Sequence, residues 1–343
     1  MNVNKKPTTH NHQLTVIRGF CVLIVVIFHI SQFTKASDNF QFGNLGVIGF
    51  FTLSSYLICS KLFFQNFNYK MFLKRRFIRI YPLFIINFFL FAIIFNLLTN
   101  SRGNGVTKWE FYNMLDWYTL IANYSLKGEQ WVTPFSHLWS ICVEMHFYLI
   151  LPLLAKFSRA NRNIILFICV FASIILNYYV SQNFVYPSVW VQSSSHLGSF
   201  ALGALIANNE KFLLSKNKFS NFLILTMAIA LYYLSGFREF FSGKYTGISY
   251  LASSIFFGLI ILKCMVSLKK NFSMIHRIGL MSYSIYLVHF PFIYVYVIYF
   301  NYASGLNFYN SVICLFAILA VSMIIYQIFE KPILKLKSKV DIT

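Results

Sequence analysis

An arginine and a histidine stand eleven positions apart in RGFCVLIVVIFH, at residues 18 and 29, with only small and apolar residues between them. On a helix that separation is three turns, about 16 Å along one face, so Arg18 and His29 share a stripe. An imidazole held in such a setting can act as a general base or a transient nucleophile. The carboxylate to go with it is Glu144, inside the apolar run SHLWSICVEMHFYLILP. A buried carboxylate beside a histidine fixes its tautomer and favours the imidazolium, so the sequence predicts a His29–Glu144 pair. A third group is FLKRRFIRIYP, with Lys74, Arg75, Arg76 and Arg79. Arg76 and Arg79 lie at i and i+3 on one helix face, and guanidinium forks bind phosphates bidentately, which suits a polyphosphate cofactor. Each group also has a structural reading. Arg18 can snorkel to headgroups, His29, Glu144 and His146 can bond neighbouring helices, and the basic cluster can anchor the chain against anionic lipid.

The elements that must position these residues are membrane spans. The chain is 58% hydrophobic, 20% aromatic and only 11% charged, far below the usual quarter of charged residues in soluble domains. Apolar runs near the ~20 residues needed to cross a bilayer recur at 14–33, 45–64, 80–98, 138–155, 163–181, 196–208, 219–237, 246–266, 280–300 and 308–329. The expected fold is an all-α integral membrane bundle of about ten transmembrane helices. Counted from the span ends at His137 and Phe33, Glu144 and His29 fall at comparable depth, about 10 Å from the outer surface at ~1.5 Å per residue.

The formal charge of +20 is a matter of topology. With the N-terminus inside, 23 of the 29 Lys and Arg fall in cytoplasmic segments, and the other six (Lys35, Arg102, Lys108, Lys127, Arg238 and Lys244) meet Asp38, Glu110, Asp116, Glu129 and Glu239 in outer loops. Both termini are therefore predicted cytoplasmic by the positive-inside rule, in a bacterial-type cytoplasmic (inner) membrane, with lipid and no nucleic acid as partner. Arg18 and His29 interrupt the first apolar run, so it reads as a retained span rather than a signal peptide. The six cysteines lie inside apolar runs without paired spacing and read as small hydrophobes, and no metal is expected. One domain is expected over 1–343, with an outer loop at 99–136 and no appended soluble domain.

Smaller features complete the reading. All five tryptophans (109, 117, 131, 139 and 190) map to outer loops or outer helix ends, as an interfacial belt does; stacking of a carbohydrate on Trp109, Trp117 or Trp131 is the alternative. Gly198 and Gly203 read as close helix contacts. His289, two residues before Pro291, either lines a site or serves a helix break. Glu330, next to Lys331 and Pro332, is expected to end the last helix.

Taken together, these blocks resemble the acyltransferase-3 family of integral membrane O-acyltransferases. RGFCVLIVVIFH is similar to its opening Arg-Gly…His signature, LGVIGFFTLSSYLI to its Gly-rich second span with Ser55 in place of the usual Gly, and FLKRRFIRIYP to its arginine motif. HLWSICVEMHFYLILPLL resembles its WSxxxE segment, with Met145 and His146 where acidic residues or Gln are more usual. HLGSFALGALIA, IGLMSYSIYLVHFPF and FEKPI follow in the family's order.

The resemblance implies transfer of an acyl group, usually acetyl from cytoplasmic acetyl-CoA, to a hydroxyl of a cell-envelope polysaccharide or glycolipid. His29 and Glu144 would be catalytic and Arg18, Arg75, Arg76 and Arg79 would hold the CoA phosphates. His137, Trp139, Ser140 and His289 would face the acceptor. Direct transfer and an acetyl-histidine intermediate are both open. The competing class is a transmembrane exporter of a glycan or lipid-linked sugar, since a charged stripe can also line a conduit. A multipass O-acyltransferase of another family would not carry the arginine and WSxxxE blocks. The soluble H-x4-D signature is absent, no Asp standing five positions after any His.

Overall fold

The structure, a computed structural model, describes residues 8–34, 42–64, 68–102, 119–125, 134–183, 188–215, 221–237, 240–241, 243–267, 272–300 and 305–339. Among them the chain is helical, and its one β-bridge joins Thr34 to Leu306. The principal helices are α1 (Thr8–Ser31), α2 (Gly43–Leu62), α3 (Tyr69–Arg102), α4 (Trp139–Ile150), α5 (Arg159–Asn183), α6 (Leu197–Asn208), α7 (Asn221–Leu234), α8 (Thr246–Ser267), α9 (Ser273–Leu280), α10 (Ser282–Tyr299), α11 (Phe308–Ile325) and α12 (Lys331–Lys339).

All ten apolar runs are helical, but they differ in length. Eight segments of the described residues are long and apolar enough to cross a membrane. The sixth and seventh runs give α6 and α7, of 12 and 14 residues, about 18 and 21 Å at 1.5 Å per residue, short of a ~30 Å hydrocarbon layer. The basic cluster stands near the start of the third span, Tyr69–Phe95. It lies on α3 itself, which starts at Tyr69, so Arg75, Arg76 and Arg79 are held on a rigid helix.

The described residues form two compact units that interleave in sequence. The first comprises Met1–Val25, Asp38–Asn66 and Ile150–Ser282. In it α6 packs on α2, α5 and α8. Small residues permit this: a side chain at Gly203 would meet the backbone carbonyl of Thr52, and one at Gly198 would stand 2.6 Å from Ser173 Oγ, as expected of close helix contacts in a membrane. Helix α5 shows how a span serves two solvents. Its stripe Leu166, Val170, Ser173 and Asn177 is buried, while Phe167, Ile168, Phe171 and Ile175 are more than half exposed, an apolar outer face that only lipid accommodates. Trp190 is buried, its Nε1–H donating to Phe241 O at 3.1 Å, and Trp139 in the second unit is buried too; the belt reading fails for both. Trp109, Trp117 and Trp131 lie outside the described residues. The six cysteines are free.

The second unit comprises Val26–Ser37, Phe67–Leu149 and Tyr283–Thr343. Its organising element is α10, which holds Pro291 inside the helix. Proline has no N–H to offer the carbonyl four residues back, here Leu287, and Asn87 of α3 takes that place by donating Nδ2 to Leu287 O at 3.0 Å. Tyr283 OH donates to Ile80 O at 2.7 Å, a second tie to α3. Glu330 does not end the last helix. Residues Tyr326–Glu330 form a π-helical turn that runs on into α12, and the buried Glu330 carboxylate accepts from the Ser284 backbone N–H at 3.2 Å and from its hydroxyl. An acidic group there suits the positive end of the α10 dipole.

Candidate functional site

Three histidines of the second unit come together. His29 Nδ1 lies 2.8 Å from His289 Nε2, with the rings stacked at 5.0 Å. His289 is fully buried and its Nδ1 faces the carbonyls of Tyr286 at 2.7 Å and Ile285 at 3.2 Å. The His137 ring stands edge-on to His289 at 4.9 Å, and both its nitrogens are buried without a hydrogen-bond partner among the described residues. Phe290 covers the group, 4.6 Å from His29 and 5.3 Å from His137. Of the three imidazoles only that of His29 is partly exposed.

Tyr286 fixes the position of His137. Its hydroxyl donates to His137 O at 2.7 Å, so the 2.6 Å contact with Ser140 Oγ is one in which the serine donates. Ser140, expected at the acceptor, is thereby a strut between α4 and α10, and Trp139 is packed away beside it.

The structure seats Glu144 with Tyr148 and Arg76 rather than with His29. Tyr148 OH donates to the Glu144 carboxylate, and the Arg76 guanidinium lies 4.9 Å over the Tyr148 ring and 5.2 Å over Phe72, a cation–π arrangement. The charges acting on Tyr148 are those of Glu144, Arg76 and Arg79. The correction follows from helical rise. His137 stands at the start of α4 beside His289, and Glu144 is seven residues further on, about 10 Å at 1.5 Å per residue. Helix α3 repeats the offset from Arg79 to Asn87 and α10 from Tyr283 to His289, about 12 and 9 Å. Three helices thus carry two levels of chemistry, a histidine level and an arginine–carboxylate–tyrosine level, about 10 Å apart.

Arg75, Arg76 and Arg79 share the second level and are each partly exposed, while Lys74 is exposed. Arg18 belongs to the first unit. Among the described residues no cluster of His, Cys, Asp and Glu has the geometry of a metal site.

Sequence reasoning missed Asn87, Tyr148 and Tyr286. Signals were present: Tyr148 stands at i+4 from Glu144 and Tyr286 at i−3 from His289, each on its partner's helix face. Asn87 is a lone amide in the apolar run FIINFFLF, less conspicuous than a charge because an uncharged amide costs less to bury.

Comparison with known proteins bears on the family of the chain. Residues 11–327 match the acyltransferase-3 profile, described as an acyltransferase domain. The O-acetyltransferase OatA of Staphylococcus aureus (strain NCTC 8325 / PS 47) is 26% identical over 93% of this chain and 56% of its own. The peptidoglycan O-acetyltransferase OatA of Listeria monocytogenes is 31% identical over 40% of this chain and 22% of its own. The chain thus spans about half the length of the Staphylococcus relative it matches. No solved structure matches it at a significant level. With nearly its whole length matched, the chain belongs to the acyltransferase-3 family.

Proposed function

We propose that this chain transfers an acyl group, acetyl in the first instance, from acyl-CoA to a hydroxyl of a cell-envelope glycan. The observation that carries the reading is the His29–His289 pair: a partly exposed imidazole held at 2.8 Å by a second, fully buried imidazole, inside an apolar helix where a purely structural polar group would be costly. Neutral imidazole is the form that accepts a proton, as deprotonating a hydroxyl requires. The names of the relatives, O-acetyltransferase and peptidoglycan O-acetyltransferase, support acetyl as the group and a wall glycan as the acceptor.

In this proposal Arg75, Arg76 and Arg79 take the phosphates of the donor through charge-assisted bonds, with Arg76 held in place by Tyr148 and Glu144. The thioester reaches the histidine level on its flexible arm. His29 removes the acceptor proton as the hydroxyl attacks the acyl carbon, the C–S bond breaks and CoA leaves as the thiol. His137, its ring nitrogens buried beside His289, is the candidate contact for the acceptor. The charge asymmetry of the sequence supports an arginine level on the cytoplasmic side of the membrane, the side on which acyl-CoA is found.

The test is acetyl transfer in proteoliposomes supplied with radiolabelled acetyl-CoA and a glycan. His29→Ala is expected to reduce labelled glycan by two orders of magnitude or more, from the ~10²–10⁴ that general-base catalysis contributes. Label reaching glycan undiminished in that variant would overturn the assignment, and glycan crossing the bilayer without acetylation would favour export.

A further inference from the structure

We infer that His289 is a positioning residue that fixes the tautomer of His29 and thereby selects Nε2 of His29 as the reacting atom. The inference rests on the proposed acyl transfer for its chemistry and on hydrogen-bond logic alone for its geometry.

The backbone carbonyl of Tyr286 fixes the first proton. A carbonyl oxygen only accepts, so the 2.7 Å contact between His289 Nδ1 and Tyr286 O requires the proton on Nδ1, and the 3.2 Å approach of Ile285 O reinforces it. A neutral imidazole has one N–H and one lone pair, so His289 Nε2 carries the lone pair. It faces His29 Nδ1 at 2.8 Å. Two lone pairs cannot face each other at that distance, so His29 Nδ1 carries the proton and donates it. The remaining nitrogen of His29, Nε2, is then left with the lone pair. The carboxylate that usually orients a catalytic histidine is here replaced by a carbonyl relayed through a second imidazole.

Everything along this relay is anchored. Tyr286 is held by its hydroxyl bond to His137 O, and α10 is held at its proline by Asn87. His289 itself is fully buried, so its ring has no room to turn. In the reaction the acceptor O–H breaks and its proton goes to His29 Nε2, the acyl C–O bond forms, the C–S bond breaks and the thiolate takes that proton to leave as thiol. His29 then returns to the same tautomer, and His289 exchanges no proton.

Two measurements on the full chain in lipid bilayers test this, one independent of catalysis. Solid-state NMR of protein labelled with ¹⁵N-histidine, assigned by difference against His29→Gln, should show His29 protonated at Nδ1 and bare at Nε2, and His289→Leu should remove that state. Finding His29 protonated at Nε2 overturns the inference whether or not the protein transfers acetyl. Failure of the wild type to transfer acetyl while showing the expected tautomer overturns the functional reading instead. The second measurement is acetyl transfer. His289→Gln, whose side-chain oxygen can accept from His29 Nδ1, should stay within about tenfold of wild type. His289→Leu, of equal thermal stability, should lose on the order of 10³–10⁴, the scale of a wrong tautomer in a catalytic triad. Equal activity of the two variants, high or low, contradicts the relay.

Discussion

Asn87 and Leu287 meet through one hydrogen bond, 3.0 Å from the amide nitrogen to the carbonyl that Pro291 leaves without its helical donor. The two features are a matched pair, and the match can be measured. Asn87→Ala is expected to cost about 0.5–2 kcal/mol, the range of interhelical hydrogen bonds in membranes. Pro291→Ala restores the backbone N–H and should make the same Asn87 change much cheaper. A double-mutant cycle read by thermal unfolding in detergent gives the coupling directly; additive losses would show that the amide and the proline are unrelated.

Glu144 offers a way to separate binding from chemistry. As the partner of Tyr148 and Arg76, it acts on the proposed donor level, so Glu144→Ala should raise KM for acetyl-CoA while changing kcat by less than tenfold. A carboxylate orienting His29 would give the opposite split, a large fall in kcat at unchanged KM. Steady-state kinetics with the donor varied decides between them.

Arg76 is predicted to resist conservative replacement. Its flat guanidinium lies over two aromatic rings, a seat that an ammonium fills poorly. Arg76→Lys should therefore weaken acetyl-CoA binding nearly as much as Arg76→Ala, by roughly 10- to 100-fold, the equivalent of ~1.5–3 kcal/mol for a hydrogen bond to a charged group. Equilibrium binding of acetyl-CoA to protein in nanodiscs provides the measure.

In the first unit, His12 and His276 stack face to face at 3.9 Å. Burial, and then the neighbouring His12, lower the pKa of His276 below its ordinary 6.5. The folded protein therefore binds a proton there less readily than the unfolded chain, so the contribution to stability is complete above pH 6.5 and is lost as pH falls from 6.5 toward the lowered value. Thermal unfolding followed across that window should show an acid loss that His276→Phe flattens.

How much of this was legible depended on which property each residue exposed to a linear reading. His29 stood out because an ionisable group in an apolar run is conspicuous by type. His289 stands out in the same way, but the pairing does not, because depth counted from span ends set by hydropathy blurs helix ends by several residues and sets Glu144 opposite His29. At ~1.5 Å per residue such errors can add up to a full turn or more. The arginines fall on one helix face in the sequence as in the structure, but the apolar run starts only at 80, since basic residues lower hydropathy without breaking a helix, and α3 runs through them from Tyr69. Helices α6 and α7 were read as spans because an apolar average does not distinguish a short helix from one that crosses lipid. Gly203 was read correctly because close approach demands the smallest residue. The tie between Asn87 and Leu287, 200 residues apart, had no local signature at all.

The separation of His29 and His289 along the chain, 260 residues, also bears on biogenesis. His29 leaves the ribosome 260 residues ahead of His289, so through that stretch of translation its Nδ1 is made before the partner that faces it in the folded chain. A nascent chain, or one truncated before residue 289, holds a histidine of unfixed tautomer. If His289 selects the reacting nitrogen as inferred, acyl transfer can begin only after the helix that carries His289 has been made and packed.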